Sequence, residues 1–217
     1  MNTNFNTKIM NQLNDRDILQ NKFDISFANS DFEALRNHYR NLRNIELNSP
    51  LNFPCETIPI SSLAESITLA CDVICAECGT SFIYCGNEVS PIWANSKFIT
   101  KAILNLLSNA FLYGKGELIT IKTIEKSEFV SIEIQSAGAL PEFFRFGKGL
   151  SFVKSVCENF NGHFFIETTI VSTKTVMLIP KSCDFKDVVT LPDFCELLSD
   201  RLSPVYIEIF GAKYHNI

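Results

Sequence analysis

Two carboxamides one helical turn apart, and a glycine pair at the mouth of a second helix, are the groups in this 217-residue chain best suited to holding a ligand. Asn105, Asn109 and Tyr113 fall at i, i+4 and i+8 in ILNLLSNAFLYG, so a helix carries them on one face, while Ile99, Ile103, Leu106 and Ala110 supply its core stripe. Asparagine is a poor helix former because its side chain competes with the backbone for hydrogen bonds. Two of them in mid-helix therefore call for a use, although solvated surface positions or partners of a neighbouring loop would also account for them. Further on, Gly147-Lys148-Gly149 leads into Leu150-Ser151-Phe152-Val153-Lys154. A Gly-x-Gly turn opening a helix presents unpaired N–H groups at the positive end of the helix dipole, which suits a phosphate; a plain turn explains the same residues.

The eight cysteines raise a second possible chemistry. Cys71, Cys75 and Cys78, with Cys85 beyond, sit at i, i+4 and i+7 in SLAESITLACDVICAEC, continuing Leu63, Ile67 and Ile74. That spacing is one face of a helix and not a chelating knuckle, so the expectation is buried reduced thiols and no zinc or iron–sulfur site.

The elements that must position these groups can be read from periodicity. Residues 1–30 are rich in Asn and Asp, and from Asp31 the residues Phe32, Leu35, Tyr39 and Leu42 recur at helical spacing up to Asn48-Ser49-Pro50. From residue 55 strands and helices alternate. The pattern predicts strand Glu56–Ile60, helix Ser62–Cys78 capped by Ser61 or Ser62, strand Thr80–Cys85 and helix Ser96–Tyr113 ended by Gly114. A hairpin follows, Glu117–Ile124 with Glu128–Gln135, then a helix from Gly147 to about Phe160 and strands His163–Thr168 and Thr173–Ile179. Residues 181–217 read as a helix, Pro192–Leu202, and an apolar strand, Pro204–Phe210, that could add to a sheet edge. The fold class is α+β: a two-layer α/β sandwich, one mixed sheet covered on one face by three helices, preceded by a helical segment. Three divisions follow: 1–54, 55–180 and 181–217.

Charge narrows the function classes. Lys plus Arg number 19 against 24 Asp plus Glu, a net charge of −5 that leaves no basic excess to neutralise a nucleic-acid backbone. No apolar run reaches the roughly 20 residues that cross a bilayer, and MNTNFNTKIMNQLNDRD lacks the apolar stretch of a secretory signal. The expectation is a cytoplasmic protein with no membrane and no nucleic-acid partner.

Taken in this order, the segments resemble the ATP-binding catalytic domain of sensor histidine kinases, the GHKL or Bergerat-fold group. Asn105-Leu106-Leu107-Ser108-Asn109-Ala110 with Tyr113 is similar to that family's Asn box, and Gly147-Lys148-Gly149-Leu150-Ser151-Phe152-Val153-Lys154 to its second glycine box. Glu56–Leu63 looks like the first strand and helix, and Asn161-Gly162 with the last strand to Pro180 like the closing pattern. The resemblance implies that Asn109 holds the Mg²⁺ bridging the phosphates of ATP and that Asn105 supports nucleotide and metal. It implies that Tyr113 borders the adenine, and that Gly147, Lys148 and Gly149 form the turn approaching the phosphates. No catalytic residue is assigned.

The chain departs from the family pattern in three places. Where the resemblance calls for an Asp that accepts the adenine amino proton, there is Gln135 or Ser136, which should weaken adenine binding by roughly ten- to a hundredfold. The lid shrinks to residues 142–146, where Phe143, Phe144 and Phe146 are placed to plug the cleft, and the basic residue before the aromatic is Leu112, leaving Lys115 or Lys148 to stand in. Neither His163 nor His215 is placed as a phosphoacceptor, and His38 is followed by Tyr39 where the family has an acidic residue; residues 31–48 look like one remnant helix of a dimerisation hairpin. These features imply a signalling protein that has kept the ATP-binding fold and acts by binding a partner such as a response regulator or kinase, with weak or no phosphotransfer and a possible homodimer through 31–48. The alternative is an active ATP-dependent histidine kinase with an unconventional nucleotide pocket.

Overall fold

The computed structural model describes residues 54–114, 118–140, 146–182, 188–200, 203–210 and 212. The segment 31–48, His38, His215, Lys115, Phe143 and Phe144 lie outside the described residues. Seven strands occur among those described: β1 Glu56–Ile58, β2 Ser81–Tyr84, β3 Ile92–Ala94, β4 Leu118–Glu125, β5 Phe129–Ala137, β6 His163–Thr168 and β7 Ser172–Pro180. Five of them form a mixed sheet in the order β2-β4-β5-β7-β6, in which only β2 and β4 run parallel. The first strand does not join this sheet. It pairs antiparallel with β3, which the sequence reading missed because a three-residue strand following Pro91 carries too little alternation to register.

Three helices cover one face of the sheet: α1 Ile60–Cys75, α2 Ser96–Tyr113 and α3 Lys148–Asn159. The strands obey the two-residue period of a half-buried sheet. Ile119 and Ile121 on β4, Val130, Ile132 and Ile134 on β5, and Met177 and Ile179 on β7 are all buried beneath the helices. The far face carries charge, with Lys174 bridging Glu133 and Glu167 across three strands at 3.6 and 2.6 Å.

The first helix begins two residues before its predicted start. Pro59 takes the cap position and its carbonyl accepts from Leu63 N–H at 3.1 Å, while Ser61, expected as a cap, accepts from Val89 N–H and donates to the Asn87 carbonyl. The last turn tightens into a 3₁₀ turn, Ala76–Cys78, which Gly79 ends at φ +69°. Cys71 and Cys75 are fully buried on the same face as Leu63 and Ile67, as expected of thiols acting as hydrophobes, whereas Cys78 is half-buried on the 3₁₀ turn and Cys85, beyond the end of β2, is exposed. Among the described residues no group of three or more His, Cys, Asp or Glu is placed to hold a metal. Burial pushes the Cys157 thiol on α3 up to about 12, so it is protonated and unreactive at neutral pH.

The largest correction concerns the C-terminal segment. The predicted strand 204–210 is helical, a wide turn over Tyr206–Phe210, preceded by α4 Phe194–Ser199 with a capping box between Asp193 and Glu196. Val205, Tyr206, Ile207 and Ile209 are buried in near succession, and an apolar run enclosed on all sides satisfies its backbone internally more readily than as a lone edge strand. The helix α4 packs on α1, the turn Tyr206–Phe210 packs on both α1 and α2, and Val188 adds a parallel bridge to Thr57 on β1.

One ion pair fastens the far end of the sheet. Glu125, at the end of β4, accepts from Ser90 N–H and Ser90 Oγ, both at 2.8 Å, and pairs with Lys181 at 2.5 Å. These partners lower its carboxyl to about 2. A depressed folded-state value stabilises the fold above the unfolded value near 4.5, and the contribution is lost as pH falls toward 2. The expected result is that Glu125→Gln lowers the melting temperature at pH 7 but flattens its decline between pH 4.5 and 2, as read by thermal melts across that range. Parallel wild-type and variant curves would contradict it.

Candidate functional site

The second helix presents its polar face because both ends are set by asparagine and glycine. Asn95 caps it, its Oδ1 accepting from Phe98 N–H at 3.2 Å and its Nδ2 donating to the Pro54 carbonyl at 2.9 Å. Gly114 closes it, and a Cβ there would lie 2.3 Å from the Ala110 carbonyl oxygen. Between these ends Ile99, Ala102, Ile103, Leu104, Leu106, Leu107 and Phe111 are buried, the Phe111 ring lying 6.1 Å from that of Phe82 on β2. One stripe stays partly open. It holds Asn105 and Asn109, both half-buried, and Tyr113, which is 72% exposed at the helix end.

The helix α3 meets this stripe. A Cβ built on Gly149 would lie 3.4 Å from Asn105 Oδ1 and 3.6 Å from its Cγ, so the glycine leaves backbone open beside the carboxamide. One turn earlier on α2, Lys101 is 8% exposed with Nζ 5.2 Å from the centre of the Phe152 ring, and the Phe98 ring meets Phe152 edge-on at 6.2 Å. Since Phe98 and Lys101 meet Phe152 while Asn105 meets Gly149, the helices run antiparallel at this contact, and Asn109 continues along α2 on the side of the Gly147 turn. Gly147 caps α3 with extended backbone and no side-chain hydrogen bond. Its side is exposed, as is Lys148.

The structure thus brings Asn105 against Gly149 and sets Asn109 on the same stripe; Tyr113, Gly147 and Lys148 stand at its open margins. Among the described residues, neither the Asn105 nor the Asn109 carboxamide has a hydrogen-bond partner within the protein. Phe146 is the one of the three lid phenylalanines among the described residues. Its ring leans on Phe164 of β6 at 6.1 Å and is 47% exposed.

Sequence reasoning missed Lys101, although its place four residues before Asn105 was a usable signal, and it left the alignment of Gln135 and Ser136 open. Register sets the two on opposite faces of the sheet. Ser136 pairs with Ile119 and Thr173 on the helix-facing side, whereas Gln135 pairs with Thr120 and Lys174 on the far side. The next turn is committed to the protein itself. Gly138, at φ +97°, donates its N–H to the Val171 carbonyl and accepts from Thr173 Oγ1, both at 2.8 Å. Leu140 N–H donates to Thr168 Oγ1 at 3.3 Å. The surviving glycine of that turn is therefore pinned to the β6–β7 hairpin.

No family model matches the chain. The probable sensor kinase SilS of Salmonella typhimurium is 32% identical over a stretch that covers 37% of this chain and 21% of that protein, so the match spans about a fifth of the relative's length. Among solved structures, the catalytic domain of the histidine kinase ThkA is 20% identical with a TM-score of 0.52, covering 59% of this chain and 98% of its own. The ATP-binding domain of PrrB from Mycobacterium tuberculosis is also 20% identical, with a TM-score of 0.51 and the same coverage of each chain, 59% and 98%. The chain has the fold of histidine kinase catalytic domains, and no helix among the described residues is long and apolar enough to cross a membrane.

Proposed function

We infer that this chain is a histidine-kinase-type ATP-binding domain working in signal transduction. In this reading it holds ATP with Mg²⁺ along the open stripe of α2, and acts chiefly by binding a protein partner, a response regulator or a kinase, with weak or no phosphotransfer. Dimerisation through 31–48 and a cytoplasmic location belong to the same reading. The observation that carries it is the pairing of two partnerless carboxamides on α2 with the open backbone of Gly149, Asn105 Oδ1 lying 3.4 Å from where a Cβ would stand.

The residues present fit the group. The half-buried carboxamides have no protein partner among the described residues, so their oxygens and N–H groups are open to a ligand. Asn109 is the residue to offer an oxygen to Mg²⁺, a hard cation that retains waters and needs few protein ligands when phosphates supply the rest. When bound, the metal would neutralise phosphate charge. Asn105 would orient the phosphates from the next turn, Gly149 would let backbone N–H groups approach them, and the ring of Tyr113 would border the base.

Weak binding and weak chemistry follow from what the same cleft lacks. Ser136 takes the helix-facing position where a carboxylate would read the base, and both backbone groups of Gly138 are spent on the β6–β7 hairpin. Residues 142–146 are too few to close over phosphates and exclude water, which phosphoryl transfer generally needs.

Calorimetric titration with Mg-ATP tests the reading. Asn109→Ala should weaken binding by about ten- to a hundredfold, the value of a hydrogen bond or ligand bond to a charged group. Equal heats from wild type and variant, or no heat at millimolar ATP, would remove the nucleotide site. Labelled phosphate passing from ATP to the chain or to a response regulator at ordinary kinase rates would favour the active-kinase alternative.

A further inference from the structure

We propose that the site does not discriminate adenine from guanine, and takes purine nucleoside triphosphates of either kind with Ser136 meeting the 6-position of the base. The proposal rests on the preceding reading that a nucleotide lies along α2 with its base toward Tyr113. Its own support is the inventory of polar atoms around the end of that helix.

Ser136 stands on the helix-facing side of β5, is 8% exposed, and its hydroxyl has no hydrogen-bond partner among the described residues. It adjoins the end of α2: a Cβ on Gly114, the residue after Tyr113, would lie 3.1 Å from Ser136 Cβ and 3.4 Å from its Oγ. The sheet positions around it on this side are Ile119, Ile134, Thr173 and Thr175. Thr173 Oγ1 is spent on the Gly138 carbonyl at 2.8 Å, and Thr175 Oγ1 donates to the Ile134 carbonyl at 3.4 Å. Of the sheet carboxylates, Glu133 and Glu167 hold Lys174 on the other face, and Glu125, at the far end of β4, is spent on Ser90 and Lys181. The described sheet residues therefore offer a base hydrocarbon and one unspent hydroxyl, with no charge.

Base discrimination follows from donor and acceptor chemistry. Adenine carries an amino donor at its 6-position and guanine a carbonyl acceptor. A carboxylate only accepts, so it attracts the first and repels the second. A serine hydroxyl donates or accepts by rotating, and serves both. The two bases then gain nearly the same amount, and affinity is left to the phosphates and the ring face.

The test uses the full chain, titrated separately with Mg-ATP and Mg-GTP. The expected result is dissociation constants within about threefold of one another. Ser136→Asp should open a gap of about tenfold or more in favour of ATP, the value of one charge-assisted hydrogen bond gained and one repulsion introduced. Ser136→Ala, a smaller change that keeps the result readable where the Asp variant fails to fold, should weaken both nucleotides by a similar factor. A wild-type preference for ATP of tenfold or more would overturn the proposal while leaving the ATP site standing, and so would an alanine variant that loses ATP alone. Absence of binding to either nucleotide would overturn both this proposal and the reading beneath it.

Discussion

A Gly149→Leu chain should melt at a slightly higher temperature than the wild type and lose detectable binding of Mg-ATP. Gly149 lies in the first turn of α3, where glycine costs a helix up to about 1 kcal/mol relative to a residue with a side chain. Its first side-chain carbon would sit 3.4 Å from Asn105 Oδ1, an ordinary contact, so the fold accommodates the substitution. The remaining carbons would add bulk beside the Asn105 carboxamide, where in the proposed reading the phosphates approach the backbone. Thermal melts and calorimetry on the same variant separate the two effects. Binding at wild-type strength would mean that any nucleotide bypasses this turn, and a large fall in melting temperature would mean that the gap is filled by packing.

Ending the chain at Ser182 should abolish cooperative unfolding. The removed segment includes Leu197, Leu198, Val205, Tyr206, Ile207 and Ile209, each no more than 5% exposed and carried on elements that pack against α1 or α2. Fully burying a side chain of this kind is worth about 1.5–3 kcal/mol, so the group accounts for on the order of 10 kcal/mol before ordering entropy, against a typical total stability of about 5–15 kcal/mol. Truncation also removes the hydrogen bond from Val189 N–H to the Thr57 carbonyl. Circular dichroism on heating should show a broad, shallow change in place of a sigmoid. A truncated chain that melts sharply at the wild-type temperature would show the segment to be a separable addition. The same experiment bears on function, since α2 carries both site carboxamides and would lose its support from behind.

What was legible from residues alone follows from local periodicity. The second helix was read with its observed bounds, Ser96–Tyr113, because eighteen residues of helical period between Asn95 and Gly114 leave little freedom. The same period set Asn105 and Asn109 on one face, and strand alternation at Val130, Ile132 and Ile134 set which side of β5 is buried. The thiols of Cys71 and Cys75 were recognisable as core residues for the same reason. Each of these facts depends on contacts within one element.

Whatever depends on two elements meeting had to come from the tertiary structure. The apolar run Pro204–Phe210 reads as a strand, and its helical form at Tyr206–Phe210, packed against α1 and α2, came only with the tertiary structure. A three-residue strand such as β3 exists because β1 lies beside it. Whether Gln135 or Ser136 faces the site was decided by pairing with β4 and β7, since a shift of one residue exchanges the faces of a strand. The contact of Asn105 with Gly149 joins residues 44 positions apart, and no local pattern encodes the angle at which α2 and α3 cross. Local geometry decides which face a side chain takes, and long-range packing decides what that face meets.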